Sequence, residues 1–317
     1  MERNIAVVGC GYWGKNLVRN FAELEVLHTI CDVDPQKLEN FKSLYAWLNT
    51  ETDYLQVLRN EEIKGVVIAS PAALHYFMAR EALLAGKDVF VEKPMALRST
   101  EAQELVELSA ERKLVIMSGH LMLYHPAVQT LKDFIQSGEL GEIYYLYSTR
   151  VNLGQIRRDE NALWRLVPHD VAMFIYLLEE SPVVVSAQGS SYLKPNFVDI
   201  VFVTLSFGRV LAHVHASWLD PHKVRRLTVI GSKKMGVFDD MEPEYKLRIY
   251  DKGVIDNTLL IRSGEVVLPR VNLTEPLFLE CQEFIQCMTK RKQPLSDAKQ
   301  GLEVVKTLEA IEEAMKK

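Results

Sequence analysis

Residues 4–18 read Asn4-Ile-Ala-Val-Val-Gly9-Cys-Gly11-Tyr-Trp-Gly14-Lys-Asn-Leu-Val18. An apolar run, three glycines spaced G-x-G-x-x-G and a helix-forming run follow one another, and few folds accommodate that order. Gly9 permits a tight turn out of a strand, Gly11 lets backbone come close to a pyrophosphate, and Gly14 lets a new helix pack on the strand. The helix then offers N–H groups and the positive end of its dipole to phosphate. A second apolar run, Val26-Leu-His-Thr-Ile30, ends in Cys31-Asp32. Asp32 stands where an acid accepts hydrogen bonds from the adenosine ribose and repels a 2′-phosphate, so the expected cofactor is NAD. The plainer reading is a glycine-rich turn in some other α/β protein.

Alternation along the first 120 residues supports the dinucleotide reading. Strand-like runs at Ile5–Val8, Val26–Cys31, Val66–Ala69, Val89–Val91 and Val115–Ser118 alternate with helix-like runs. The latter are Gly14–Leu24, Pro35–Phe41, Tyr54–Arg59, Ala72–Leu84 and Ser99–Arg112. Asp34 before Pro35 reads as a helix cap, and Ser99 or Thr100 reads as another. Near-continuous apolar strands between helices predict a doubly wound parallel sheet, covered on both faces. The pattern then changes. Residues 126–137 and the segment near Pro168–Leu178 read as helices. Strand-like runs lie at Ile143–Val151, Val183–Tyr192, Val198–Ser206, Val210–Trp218, Arg225–Gly231 and Leu247–Asp251, with helices again at Pro276–Lys290 and Ala298–Lys316. Consecutive strands with short turns predict an open, mainly antiparallel sheet. The expected organisation is a Rossmann domain over residues 1–120 and an α+β substrate and oligomerisation domain over 121–317. The terminal helix is expected to pack back towards the first domain.

Composition narrows the function classes. The chain has 317 residues and a net charge of −5, with Lys and Arg scattered, so nothing points to nucleic acid. No apolar run reaches the roughly 18–20 residues that span a bilayer, and no leader precedes the first strand. Four cysteines show no C-x-x-C spacing, which argues against a zinc site or disulfides and makes the cytoplasm the expected location. Cys10 fills a place in the phosphate turn that needs a small residue.

In an open α/β sheet, ligand binds outside the carboxyl ends of the strands. Lys93 follows the apolar strand Asp88-Val-Phe-Val91 and precedes Pro94, to which a cis bond is open. Its ammonium could hydrogen-bond a hydroxyl or carbonyl oxygen and join a proton relay; the plain alternative is a surface lysine at a strand end. His169, in Trp164-Arg-Leu-Val-Pro168-His169-Asp170, reads as the start of an apolar helix and a base for a hydroxyl, or as a capping or core histidine. Ser70, Pro71 and His75 mark the end of the fourth strand. His120 and His125, and likewise His213 and His215, lack further ligands for a metal, so no metal is expected. Asn152, Arg157 and Arg158 occupy the loop after the first strand of the second domain, where Arg suits a phosphate through its fork.

Together, Gly9-x-Gly11-x-x-Gly14, the A-S-P-x-x-x-H segment at 69–75, Glu92-Lys93-Pro94 and the pair His169-Asp170 resemble the Gfo/Idh/MocA family of oxidoreductases. The resemblance covers essentially the whole chain. It implies oxidation or reduction of a secondary hydroxyl, with Lys93 the catalytic lysine and His169 exchanging the hydroxyl proton. It also implies that Tyr12, Trp13, Ser70, Pro71, His75, Glu92 and Lys93 contact the dinucleotide. Substrate contacts fall to Lys93, Tyr124, Asn152, Arg157, Arg158, Trp164, Arg165 and His169. Many members carry Asp or Asn where this chain has Arg165. The relay is therefore His169 with Lys93 alone, or Asp170 helps. Gly119-His120-x-x-x-Tyr124-His125-Pro126 and Leu163-Trp164 resemble the branch of UDP-N-acetylglucosamine 3-dehydrogenases. That branch implies a sugar-nucleotide substrate, a 3-keto product passed to an aminotransferase, and a role in surface-polysaccharide or lipid A sugars. The family also implies a homo-oligomer, a dimer or tetramer. The alternatives are a free-sugar or inositol dehydrogenase, an NAD-dependent glycosidase and an NAD-binding regulator.

Overall fold

The computed structural model describes residues 2–154, 156, 160–255 and 259–316. They fall into two compact units: Met1–Leu121 with Glu275–Val305, and Met122–Thr274 with Lys306–Lys317.

The first unit alternates β1 (Ile5–Val8), α1 (Gly14–Glu23), β2 (Leu27–Cys31), α2 (Pro35–Leu44), β3 (Asn49–Glu51), α3 (Tyr54–Arg59) and β4 (Gly65–Ile68). It continues with α4 (His75–Leu84), β5 (Asp88–Glu92), α5 (Ser99–Arg112) and β6 (Ile116–Gly119). The strands form one parallel sheet in the order β3-β2-β1-β4-β5-β6. Every residue of β1, β4 and β5 is buried, as a sheet covered on both faces requires. The order reverses between β1 and β4, and a crevice opens at such a switch point. Asp34 caps α2 by accepting the Gln36 N–H, with Pro35 in the first helical position. At α5 the cap position is Arg98 rather than Ser99 or Thr100, because Arg98 holds the extended backbone and Ser99 is already helical.

Chain from the far end completes this unit. Pro276–Lys290 forms α8, and α9 (Ala298–Ala314) begins here. The α8 helix packs on α1 and β5 through three rings. Phe284 lies 5.8 Å from Phe90 and 6.4 Å from Phe21, and Phe21 lies 6.5 Å from Phe90. Arg291 pairs with buried Asp88 at 2.8 Å, fastening the end of α8 to the start of β5.

The second unit contains α6 (Pro126–Gln136), β7 (Ile143–Val151), α7 (Ala162–Leu178), β8 (Val183–Ser190), β9 (Ile200–Phe207) and β10 (Val210–Ser217). It then adds β11 (Val224–Gly231), β12 (Met235–Asp239), β13 (Leu247–Ile255) and β14 (Leu260–Val267). The sheet order is β14-β13-β12-β11-β7-β10-β9-β8, antiparallel throughout except where β7 runs parallel to β10. The apolar side of α7 covers one face, with Phe174 edge-on to Phe207. On the other face Tyr145, Tyr147, Phe202 and Leu211 are exposed.

Sequence patterning misses β3, which is polar, β12, which is only five residues long, and β14, which is exposed almost throughout and lacks alternation. It also places the start of α7 too late. Asn161 accepts the Trp164 N–H and starts the helix at Ala162, so Pro168 lies inside the helix rather than at its first position.

Phe90 is the middle ring of the α1–β5–α8 cluster. Replacing it with Ala should lower stability by about 3–5 kcal/mol, measured by urea unfolding. A loss under about 1 kcal/mol would mean that the cluster does not hold α8 in place.

Candidate active site

The glycine turn at the carboxyl end of β1 is tightly built. Gly9 adopts φ +91°, and a Cβ there would stand 2.7 Å from the backbone of Ala69. A Cβ on Gly14 would stand 1.8 Å from the Gly9 carbonyl oxygen. A Cβ on Gly11 would meet no described atom within 4 Å, which leaves its backbone open to a ligand. Trp13 occupies the cap position of α1, where no side-chain cap is found among the described residues. The start of the helix dipole is therefore free to face an anion. Tyr12 is exposed beside it.

Asp32 is buried at the end of β2. Its oxygens accept the N–H groups of Cys10 at 2.8 Å and Asp34 at 3.0 Å, and Lys37 donates at 3.1 Å. Burial works to raise the Asp32 carboxyl. The backbone N–H groups of Asp34 and Cys10, with the Lys37 ammonium, outweigh it and hold the group below the usual carboxylate range. Asp32 is thus a fixed anion, as recognition of a ribose diol requires. Burial, then Asp32, pushes the Cys10 thiol up to about 12, so Cys10 is no nucleophile. The Ser70 hydroxyl at the end of β4 is buried with no hydrogen-bond partner among the described residues. The turn, the fixed acid and this hydroxyl together fit a dinucleotide.

Around the end of β5, the Lys93–Pro94 bond is cis and Lys93 is half-buried. Its N–H donates to the Glu92 carboxylate at 3.2 Å, and the Trp13 indole N–H donates to the other Glu92 oxygen. His75 has its ring nitrogens 2.7 Å from the Pro94 carbonyl and 2.8 Å from the Ser70 carbonyl. It ties the two loops together. His120, after β6, is 1% exposed, with both ring nitrogens buried and unpartnered among the described residues. Burial, then the Lys93 charge, lowers it to about 3. A neutral imidazole therefore stands near the lysine that the sequence singles out.

In the second unit, His169 lies two turns into α7 and is half-buried. Arg165 is one turn before it on the same face and bonds Glu160 at 3.2 Å. Asp170 is buried and holds Arg150 through two bonds, at 2.8 and 3.1 Å. That pairing gives Asp170 a buried structural partner within its own unit. Trp164 is buried in the helix, and Tyr124, 1% exposed, belongs to the core rather than to an open surface. Asn152 begins the loop after β7, its N–H bonded to the Ser217 carbonyl. Arg157 and Arg158 lie outside the described residues. His125 caps α6 by accepting the Ala127 N–H, and His213 and His215 stack against Phe202, all three structural.

The description "Oxidoreductase family, NAD-binding Rossmann fold" matches residues 3–120, and "GFO/IDH/MocA C-terminal domain" matches residues 128–236. The chain belongs to the Gfo/Idh/MocA oxidoreductase family. A UDP-N-acetylglucosamine 3-dehydrogenase from Acidithiobacillus ferrooxidans is 25% identical over 302 residues, 94% of this chain and 93% of that protein. Its solved structure superposes with a TM-score of 0.86 at 23% identity, covering 98% of this chain and 97% of that one. A 2,7-anhydro-N-acetylneuraminate hydratase from Mediterraneibacter gnavus is 33% identical, but only over 46% of this chain and 38% of its own length. GenD2 from gentamicin A biosynthesis, solved in complex with NAD, superposes at 19% identity with a TM-score of 0.85, covering 100% of this chain and 95% of that one.

Two outcomes follow from this geometry. Asp32→Ala should weaken NAD binding by on the order of tenfold or more, the worth of a lost charge-assisted hydrogen bond, in calorimetric titration. Unchanged affinity would remove Asp32 from the ribose site. Asp170→Ala should destabilise the second unit by about 3–5 kcal/mol, because it leaves Arg150 buried and unpaired. A folded variant of wild-type stability that had lost only turnover would place Asp170 in the relay.

Proposed function

We propose that this chain oxidises the C3 hydroxyl of a UDP-N-acetylhexosamine with NAD, giving a 3-keto sugar nucleotide. The observation that carries the reading is Lys93 at the carboxyl end of β5, in the same unit as the glycine turn and beside a neutral His120. An ammonium placed there can hold and polarise a reacting oxygen. The near full-length match to a UDP-N-acetylglucosamine 3-dehydrogenase favours the sugar-nucleotide class over a free sugar or an inositol. Bound NAD would supply a hydride acceptor for C3. His169 takes the hydroxyl proton, and Lys93 steadies the oxygen as its charge changes. Asn152, Arg157, Arg158, Trp164 and Arg165 are assigned to the sugar nucleotide. The fixed Asp32 carboxylate favours NAD over NADP.

The wider setting belongs to the same proposal. A 3-keto sugar nucleotide is a substrate for an aminotransferase in surface-polysaccharide or lipid A sugar synthesis, which would place the protein in the cytoplasm. The exposed apolar face of the second sheet suits a homo-oligomer, and a monomeric mass by light scattering would count against that.

A second reading has one specific support: the M. gnavus relative is named a hydratase, and adding water leaves no net oxidation. There the hydride would return to the sugar within each turnover.

The test is NADH absorbance with purified protein, NAD and a panel of UDP-N-acetylhexosamines, UDP-glucuronate, free sugars and inositols, with an aminotransferase present to draw the reaction forward. Signal with a UDP-N-acetylhexosamine alone is expected, and Lys93→Ala should reduce it at least ~10²-fold. Signal with inositol alone would overturn the substrate, and product without net NADH would establish the second reading.

A further inference from the structure

Three elements of the first unit, α1, β5 and α8, meet twice. At one level they meet through Phe21, Phe90 and Phe284. Trp13 lies two helical turns before Phe21, Glu92 lies two strand residues after Phe90, and Glu280 lies one helical turn before Phe284. Each pair shares a face of its element. The rings of the apolar level therefore carry a polar level beside the phosphate turn, made of an indole and two carboxyls.

The two carboxyls differ. Glu92 accepts the Trp13 indole N–H and the Lys93 N–H. Glu280 has no solvent exposure, and neither of its oxygens has a hydrogen-bond partner among the described residues. The charged groups acting on it are Glu92 from β5 and Glu283 from α8 itself, both acids. Burial, then Glu92, raises the Glu280 carboxyl well above its ordinary value. A buried acid facing another acid keeps its proton, and a protonated carboxyl is a donor. Its site on α8 was legible: Leu277, Cys281, Phe284, Cys287 and Met288 form the buried stripe, and Glu280 falls on it.

We propose that Glu280 is a positioning residue for the dinucleotide site, a buried neutral acid that donates to the Glu92 carboxylate and so fixes the group that holds Trp13 and the Lys93 peptide. The proposal rests on the reading of Gly9–Gly14 as the pyrophosphate turn flanked by Trp13. Glu280 touches neither cofactor nor substrate. It acts through Glu92, whose two carboxyl oxygens hold the indole and the strand end.

The test uses the full-length protein and NAD itself. Glu280→Leu removes the donor and should weaken NAD binding by on the order of tenfold. Glu280→Gln keeps a neutral donor of the same shape and should restore affinity to within about threefold of wild type. In a Trp13→Phe background, Glu280→Leu should have little further effect, because the indole through which it acts is gone. Infrared difference spectra at neutral pH should show an un-ionised carboxyl in wild type that Glu280→Gln lacks. Failure of the wild-type protein to bind NAD would bring down the site reading itself, a different outcome. With NAD bound by wild type, the proposal is overturned by Glu280→Gln binding as weakly as Glu280→Leu, by additive effects with Trp13→Phe, or by absence of the neutral carboxyl. If Glu280→Leu fails to fold, the glutamine variant and the infrared signal decide.

Discussion

At Gly14 a single added carbon would stand 1.8 Å from the carbonyl oxygen of Gly9, and at Gly9 it would stand 2.7 Å from the backbone of Ala69. Three backbone segments, the end of β1, the start of α1 and the end of β4, therefore approach at a distance that excludes any side chain. That approach makes the switch point of the sheet usable. It brings the start of α1 to the strand ends and leaves Gly11 open. It also sets the chain direction that delivers Trp13 to Glu92. The fixed acid at the end of β2 and the lysine at the end of β5 gain meaning only because the turn between them is this tight.

The electrostatics of the first unit follow from burial around that turn. Asp32 remains charged because backbone N–H groups and Lys37 compensate it. His120 remains neutral because it is buried beside a lysine, and burial beside another acid raises the Glu280 carboxyl well above its ordinary value. Each group takes the charge state that its neighbours can satisfy, and desolvation decides wherever they cannot. The Asp32 carboxylate and the Lys93 ammonium stand at the carboxyl ends of β2 and β5. These are the two that a dinucleotide and a reacting oxygen need.

Much of this was legible in the chain. Strands β1, β2, β4, β5 and β6 announce themselves as apolar runs, and the glycine spacing locates the turn between β1 and α1. What escaped did so for physical reasons. Strand β3 carries no apolar signal because it is a short edge, and β14 is exposed almost throughout. Pro168 reads as the start of a helix because proline favours that position, yet the Asn161 cap had already set the start at Ala162. Tyr124 and Trp164 read as substrate contacts, and their burial within the second unit is not visible in a local pattern. The partner of Asp170 is Arg150, twenty residues away in sequence on β7, and no local pattern announces that pair. Glu280 is an acid on an apolar stripe, and only the folded chain brings it under the influence of Glu92.

The central claim is that hydride leaves C3 of a UDP-N-acetylhexosamine for NAD. UDP-N-acetylglucosamine carrying deuterium at C3, turned over with NAD, tests it most directly, with the recovered NADH weighed by mass spectrometry. The account predicts NADH heavier by one deuterium and a slower turnover than with the unlabelled sugar. NADH of ordinary mass, or a product that keeps its deuterium at C3 without NADH, would contradict it.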